Sequence, residues 1–251
     1  MRMRKIKQSQ KQTDQNPDYS AKKNLFDTEE GLVTYNRDLI KKFEKGLGLK
    51  SNQKNVDLIE FGAGSGALAE IWRSEFGISP ICIEIDGVLI KRLKAKGFIT
   101  FKDICDIKNL APFVYTSNVL EHIEDDVMAL RKIKEKMQKR GLLAIYVPAL
   151  PFLYSDHDRK IGHFRRYRKT ELMKKVTLAG FKIEDCYYND CIGVLAELSV
   201  KLFGWNGKSG LGSEKSFIIY DKIIYPISKI LDRLIFRKVI GKNLFLFAVN
   251  D

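Results

Sequence analysis

The run VDLIEF (56–61), passing directly into GAGSGALAE, constrains this chain more than any other segment. A mostly apolar run of six residues suits a strand and is too short for a helix, and a helical pattern opens just beyond the glycines. The alternation continues downstream. Strand-like runs recur at PICIEI (80–85), FITF (98–101), APFVYTSNVL (111–120), GLLAIYVP (141–148), FKIEDCYY (181–188) and NLFLFAV (243–249). Helical patterns lie between them at Ala67–Phe76, GVLIKRLKAKG, EDDVMALRKIKEKMQ and RKTELMKKVTLAG. Apolar strands alternating with helices predict a parallel sheet covered on both faces, an α/β doubly wound Rossmann-like domain.

Ahead of the first strand, TEEGLVTYNRDLIKKFEKGLG predicts a helix from Thr28. Leu32, Tyr35, Leu39 and Phe43 share its face, and Gly46 and Gly48 are its terminators. Residues 1–27, polar and basic, are expected to form a loose arm, and 28–251 one domain. Residues 190–241 break the rhythm. CIGVLAELSVKLFGW reads as helix, NGKSGLGSE as a flexible loop, and SFIIYDKIIYPISKILDRLIFRKVI as a long helix interrupted at Pro226. They form a helical insertion before the last strand.

Composition narrows the class. With 45% hydrophobic and 30% charged residues the chain is core-forming rather than disordered. Cys82, Cys105, Cys186 and Cys191 form no CxxC pair, so reduced thiols are expected and neither a disulfide framework nor a metal site. The start, MRMRKIKQSQKQ, lacks the apolar run of a signal peptide, and no apolar stretch reaches transmembrane length, which predicts a cytoplasmic protein. A net charge of +13 predicts an anionic partner: nucleic acid, anionic lipid or a phosphorylated substrate. The lysines are spread along the chain, which weakens the nucleic-acid reading.

Gly62, Gly64 and Gly66 sit where a chain must turn sharply and let a ligand approach its backbone at a helix N-terminus. Glu84 ends the next strand, where a carboxylate can accept hydrogen bonds from both ribose hydroxyls of a nucleoside. No Lys-Ser/Thr follows the glycines, which excludes a Walker-type phosphate loop. GAGSGA also fits a dinucleotide fingerprint, so NAD(P) is a competing cofactor. Glu60 favours the other choice, because a carboxylate beside the loop repels a pyrophosphate and suits the cationic amino-acid end of S-adenosylmethionine.

Together VDLIEFGAGSGALAE, CIEID, FKDICD and YTSNVLEHIEDDVMALRKI resemble a class I S-adenosylmethionine-dependent methyltransferase, over about residues 28–188 and 243–249. The resemblance implies a seven-stranded sheet with its last strand antiparallel and S-adenosylmethionine as cofactor. It implies that Glu60, Gly62, Gly64 and Gly66 line the methionine and ribose, and that Glu84 holds the ribose hydroxyls. Ile85 and Asp86 would flank the adenine, Asp103 and Ile104 would hold its amino edge and face, and Asn118 would close the pocket near the sulfonium.

Methyl transfer needs an aligned acceptor, exclusion of water and, for a hydroxyl, a base. These belong at the carboxyl ends of the strands. His122 ends VLEH and is either catalytic or a structural tie. The segment YSDHDRKIGHFRRYRKTEL (154–172) follows strand five without clear periodicity, as a lid or binding loop does. It carries His157 and His163, and His163 is the foremost candidate base. Asp156 and Asp158 could orient a histidine, and Arg165, Arg166 and Arg168, with Tyr167, could grip an acidic acceptor. The segment also resembles the LYS-x-x-D-x-x-x-GH-x-RRY pattern of methyltransferases that accompany sugar-transfer machinery. That resemblance implies a saccharide, lipid-linked sugar or other small acceptor, contacted by Tyr154, Asp158, Arg165, Arg166 and Tyr167. The competing reading of HFRRY is a clasp between arginines and core carboxylates.

In the insertion Ile219, Ile223, Ile227, Ile230 and Leu234 share helical spacing, with Lys222, Lys229, Arg233 and Arg237 on another side. Such a helix around 215–240 either lies on an anionic membrane surface, placing the protein at the inner face of the membrane, or covers the sheet. The functional alternatives to methylation of a small acceptor are an RNA methyltransferase, an NAD(P)-dependent oxidoreductase and a non-catalytic membrane-associated scaffold.

Overall fold

In the computed structural model, which describes residues 32–49, 56–203 and 214–251, helix α1 (Val33–Gly46) precedes strand β1 (Leu58–Phe61). Helix α2 (Ala67–Ile71) runs on as a π-helical turn to Phe76, and then come β2 (Ile81–Ile83), α3 (Gly87–Ala95), β3 (Thr100–Phe101) and β4 (Ala111–Ser117). The chain continues through α4 (Asp126–Glu135), β5 (Met137–Pro148), α5 (Asp156–Lys160), α6 (Lys169–Leu178) and β6 (Phe181–Asn189). The insertion supplies α7 (Gly193–Phe203), α8 (Glu214–Ile219) and α9 (Tyr225–Leu234), and β7 (Asn243–Asn250) closes the sheet. The expected arm, the start of the first helix at Thr28 and residues 206–213 of the glycine-rich loop lie outside the described residues.

The seven strands lie in the order β3-β2-β1-β4-β5-β7-β6, with β7 antiparallel to both neighbours, as expected. Period-2 alternation divides the core between two faces. Ile59, Val114, Ile145, Val147, Leu244 and Leu246 pack on one side with Leu130, Ile133, Leu172 and Val176 from α4 and α6. Leu58, Tyr115, Ala144, Tyr146, Phe245 and Phe247 pack on the other with Leu39 and Phe43 of α1 and with Trp72. Because both faces are covered, the strand ends at the carboxyl edge are the natural opening for a ligand.

Three elements differ from expectation. β5 begins at Met137 rather than at 141, because α4 stops at Glu135. The segment after β5 is not structureless: it holds a 3-10 turn (Pro151–Leu153) and α5, whose first turn is closed by Ser155 and Asp158 in a capping box. The helix interrupted at Pro226 is preceded by a π turn (Tyr220–Ile224), which accommodates a residue that cannot donate its backbone bond.

The insertion packs with its apolar stripe outward. Over residues 215–234 its buried residues are Tyr220, Asp221, Tyr225, Ser228 and Asp232, whose polar atoms are matched one by one. Asp221 accepts from the amides of Thr34 (2.9 Å) and Tyr35 (2.7 Å). Asp232 accepts from those of Asp190 (2.6 Å) and Cys191 (3.0 Å), and the Tyr225 hydroxyl donates to Asp38. Ile219, Ile223, Ile227, Ile230 and Leu234 are exposed.

Candidate active site

A cavity of about 1900 Å³ opens along the carboxyl ends of β1, β2 and β4 and runs beneath α1 and the insertion. It exceeds what a single small ligand needs, and so has room for a cofactor and an acceptor together.

At one end lies the glycine loop. Gly62, Gly64 and Gly66 all have positive φ, which a residue with a Cβ adopts only under strain. A Cβ on Gly62 would stand 2.3 Å from a Val119 methyl, and one on Gly66 2.7 Å from a Leu93 methyl. Gly62 and Gly64 line the cavity. Gly66 does not; it serves the close packing of the loop against α3, so its expected contact with a ligand gives way to a structural one. Glu84, nearly buried at the end of β2, accepts from the amides of Gly64 (2.8 Å) and Asp86 (2.9 Å), one on each oxygen. Each oxygen keeps a further lone pair for a hydroxyl donor. Glu60, Ile85, Asp86, Asp103, Ile104 and Asn118 also line this end. The Asp86 carboxylate caps α3 through the amides of Val88 and Leu89, and Asp103 caps the 3-10 turn that holds Ile104. Asn118 turns at φ 53°, a conformation asparagine tolerates better than most residues.

At the other end a 3-10 turn after β4 (Leu120–His122) meets the segment after β5. The two are docked by backbone: the Phe164 amide donates to the Glu121 carbonyl at 2.8 Å. His122, His157, Asp158, His163 and Arg166 line the cavity here. The rings of His122 and His163 meet edge to face, 4.5 Å between centroids. His163 Nδ1 lies 2.8 Å from Asp158 Oδ1. The carboxylate can only accept, so Nδ1 carries the proton and, in the neutral imidazole, Nε2 presents the lone pair. Burial alone would raise the Asp158 carboxyl, but hydrogen bonds from His163 and Arg166 outweigh it and hold the group well below the usual carboxylate range. Burial lowers His157, and burial followed by the neighbouring His163 lowers His122 to about 4.

Two residues of this end were not foreseen. Glu121 is fully buried, lines the cavity, and neither of its carboxylate oxygens accepts a hydrogen bond. Burial pushes it up to about 8, against smaller pulls from its own backbone amide and from Arg166. Glu197 reaches in from α7 and binds Arg166 Nη2 at 2.7 Å. A lone carboxylate in the apolar run CIGVLAELSV was a signal for it; nothing in VLEH separated Glu121 from a solvated charge.

Tyr154, Arg165 and Tyr167, expected at the acceptor, lie outside the cavity lining. Arg165 and Tyr167 both reach Asp126 Oδ2 at 2.8 Å, and Lys175 joins them at 2.7 Å, so the clasp reading holds for these two. Tyr167 is fully buried, and its backbone pairs just past the end of β5, donating to the Pro148 carbonyl and accepting from the Leu150 amide. The Tyr154 hydroxyl donates to the His163 carbonyl at 2.6 Å.

Comparison with known proteins fits this geometry. The sequence profile of a methyltransferase domain family matches residues 32–185. The chain belongs to that family. As a class I S-adenosylmethionine-dependent methyltransferase it has the fold and cofactor expected from its sequence, and the oxidoreductase alternative falls away. No curated protein matches the chain. Among solved structures, this methyltransferase is similar to an S-adenosylmethionine-dependent methyltransferase from Archaeoglobus fulgidus, at 17% identity and a TM-score of 0.53 over 85% of this chain and 94% of that one. It is similar to phosphoethanolamine N-methyltransferase 2 of Haemonchus contortus, solved with S-adenosyl-L-methionine, at 15% identity and 0.54 over 84% and 52%. It is similar to the cyclopropane synthase MmaA2 of Mycobacterium tuberculosis, at 13% and 0.51 over 84% and 83%. At these identities the likeness is one of fold.

The residues at the glycine-loop end of this methyltransferase fit the cofactor. The loop has no space for a Cβ at Gly62, and the carboxylate beside it has spare acceptor capacity where a ribose would bind.

Proposed function

We propose that this methyltransferase methylates a hydroxyl of a saccharide or lipid-linked sugar. S-adenosylmethionine, held by Glu60, Gly62, Gly64, Glu84, Ile85, Asp86, Asp103, Ile104 and Asn118, supplies an activated methyl group. The chain's own work is to orient the acceptor, exclude water and relieve the hydroxyl of its proton. The observation that carries the reading is the cluster opposite the glycine loop, where His163 presents an Nε2 lone pair that Asp158 orients, beside Glu121 and His122. A proton-removing cluster suits an oxygen acceptor, and its density of donors and acceptors suits a polyhydroxylated one.

A second observation supports the lipid-linked form and attachment to an anionic membrane surface. The outward stripe of the insertion, with Ile223 57% and Ile230 60% exposed, runs beside exposed Lys222, Arg233 and Lys238. Ile219 of that stripe also lines the cavity, so the exposed stripe reaches the chamber that holds the cluster, which suits an acceptor with an apolar tail. Among the described residues no helix is long and apolar enough to cross a membrane.

The test is transfer of labelled methyl from S-adenosylmethionine to free sugars, polyprenyl-linked sugars and total RNA. Label in the sugar pools supports the proposal. Label confined to RNA replaces it with the RNA reading.

A further inference from the structure

We propose that Glu121, His122 and His163 bind one divalent transition-metal ion at the acceptor end of the cavity. The proposal deepens the reading of this cluster as the acceptor site and rests on that reading only for its catalytic use.

The three side chains come from two segments, yet one ligating atom of each lies within 4.8 Å of the others. His163 Nε2 is 3.9 Å from Glu121 Oε1. Ligands about 2.0–2.2 Å from a shared ion stand closer than this, so each has to move inward by about 0.7 Å. The cluster is therefore nearly assembled before anything binds.

Glu121 gives the independent reason to place a cation there. It is 0% exposed and both oxygens lack a hydrogen-bond donor. Buried carboxylates are ordinarily paired, hydrogen-bonded or bound to a metal. The guanidinium nearby does not serve it, because Arg166 is spent on Asp158 and Glu197. What Glu121 does face is two imidazoles.

The imidazoles are prepared as ligands. A metal-bound histidine typically donates its second nitrogen to a carboxylate, which fixes tautomer and ring orientation. His163 does this toward Asp158, itself fixed by two bonds from Arg166 and by the Ser155 amide. His122 is tied to the backbone of Gly162 and packs edge-on against His163. Two nitrogens and one carboxylate favour manganese, iron, cobalt or zinc over magnesium or calcium, which prefer all-oxygen sites. Three protein ligands leave positions open for acceptor hydroxyls.

With the ion bound, an acceptor hydroxyl on an open position is made more acidic. In that state His163 is a ligand and the ion takes over its part in acidifying the hydroxyl: the O–H bond breaks and the proton passes to His157, which lines the same cavity outside the ligand set. The oxygen takes the methyl as the sulfonium–carbon bond breaks, and the sulfur keeps that electron pair.

The test uses the full, untagged chain stripped with chelator and dialysed. Mn²⁺ binding is followed by electron paramagnetic resonance and Co²⁺ by visible absorption, with S-adenosylhomocysteine titrated in parallel. One equivalent of Mn²⁺ per chain is expected. Glu121→Gln, His122→Ala and His163→Ala should each weaken it at least about tenfold, and Asp158→Asn about 10–100-fold. S-adenosylhomocysteine affinity should stay within about twofold, which separates lost ligation from misfolding. A wild-type chain that binds neither ion, or variants at Glu121 and His163 that bind as wild type does, overturns the proposal. Should Glu121→Gln lose the nucleoside as well, His122→Ala decides by the same criterion. Metal binding lost on ligand substitution in a chain that never binds the nucleoside upholds the site and sinks the cofactor reading alone.

Discussion

Arg166 holds both oxygens of Asp158, Nε to Oδ1 at 2.8 Å and Nη2 to Oδ2 at 3.0 Å, and Nη2 continues to Glu197 at 2.7 Å. The pair is buried and two-pronged, so it fixes position as well as charge. Asp158 passes that fixity to the His163 ring. Arg166→Lys keeps the charge and loses the fork. Its kcat should fall by about tenfold or more, with S-adenosylhomocysteine affinity unchanged and a loss of about 1–3 kcal/mol in stability. Single-turnover rates and chemical melts check this, and an unchanged kcat would remove Arg166 from the positioning of the site.

Glu84 and Gly62 test the nucleoside end separately. Glu84→Gln keeps the shape but turns one accepting oxygen into a donor that faces a backbone amide, so nucleoside affinity should drop about 10–100-fold and stability by about 1–3 kcal/mol. Gly62→Ala forces a Cβ toward Val119 at a φ of 81°. It should lower affinity and also destabilise the fold by about 1–3 kcal/mol. Calorimetric titration with S-adenosylhomocysteine measures the affinities; equal affinity in Glu84→Gln would displace the ribose contact.

Asp126 sets an acid limit on stability. Burial raises its carboxyl, but hydrogen bonds from Lys175, Tyr167 and Arg165 outweigh that and leave it lowered. A carboxyl lowered in the folded state stabilises fully above its unfolded value, about 3.9, and the contribution is lost as pH falls through the folded value. Asp126→Asn should therefore be less stable at pH 7 by about 1–3 kcal/mol and lose less than wild type on descending below pH 4. Parallel losses in urea melts of the two proteins between pH 5 and 2 would show that the clasp contributes nothing.

The outward isoleucines predict binding without stability. Ile223→Glu with Ile230→Glu should leave the melt within about 0.5 kcal/mol per site, because neither side chain is buried. Flotation with anionic vesicles should be lost. Retained flotation would move the membrane contact elsewhere.

Much of the sheet was legible because a strand's period of two forces residues such as Leu58 and Ile59 onto opposite faces, each of which must be covered. The glycine loop was legible because Gly62 answers a steric demand that short sequence states directly. The acceptor end was less so. Whether Glu121 points into the protein depends on the phase of one 3-10 turn, which no periodicity records. Tyr167 and Arg165 look like binding residues until Asp126, some forty positions earlier, is brought beside them. The insertion's stripe was visible, but its outward direction was not. The face that packs inward is built of tyrosine and aspartate, whose polarity is cancelled only by partners on α1 and around Asp190.

The capping of α1 by Asp221 links two distant parts of the chain. No side chain of its own caps that helix, and the carboxylate that does arrives 187 residues after Thr34. Among the described residues Asp221 alone supplies side-chain acceptors to the Thr34 and Tyr35 amides, which the first turn of a helix leaves without partners of its own. Leu32, Tyr35 and Asn36 of that region form part of the cavity wall. The wall on that side of the cavity thus depends on a carboxylate from the insertion, far along the chain from the helix it caps.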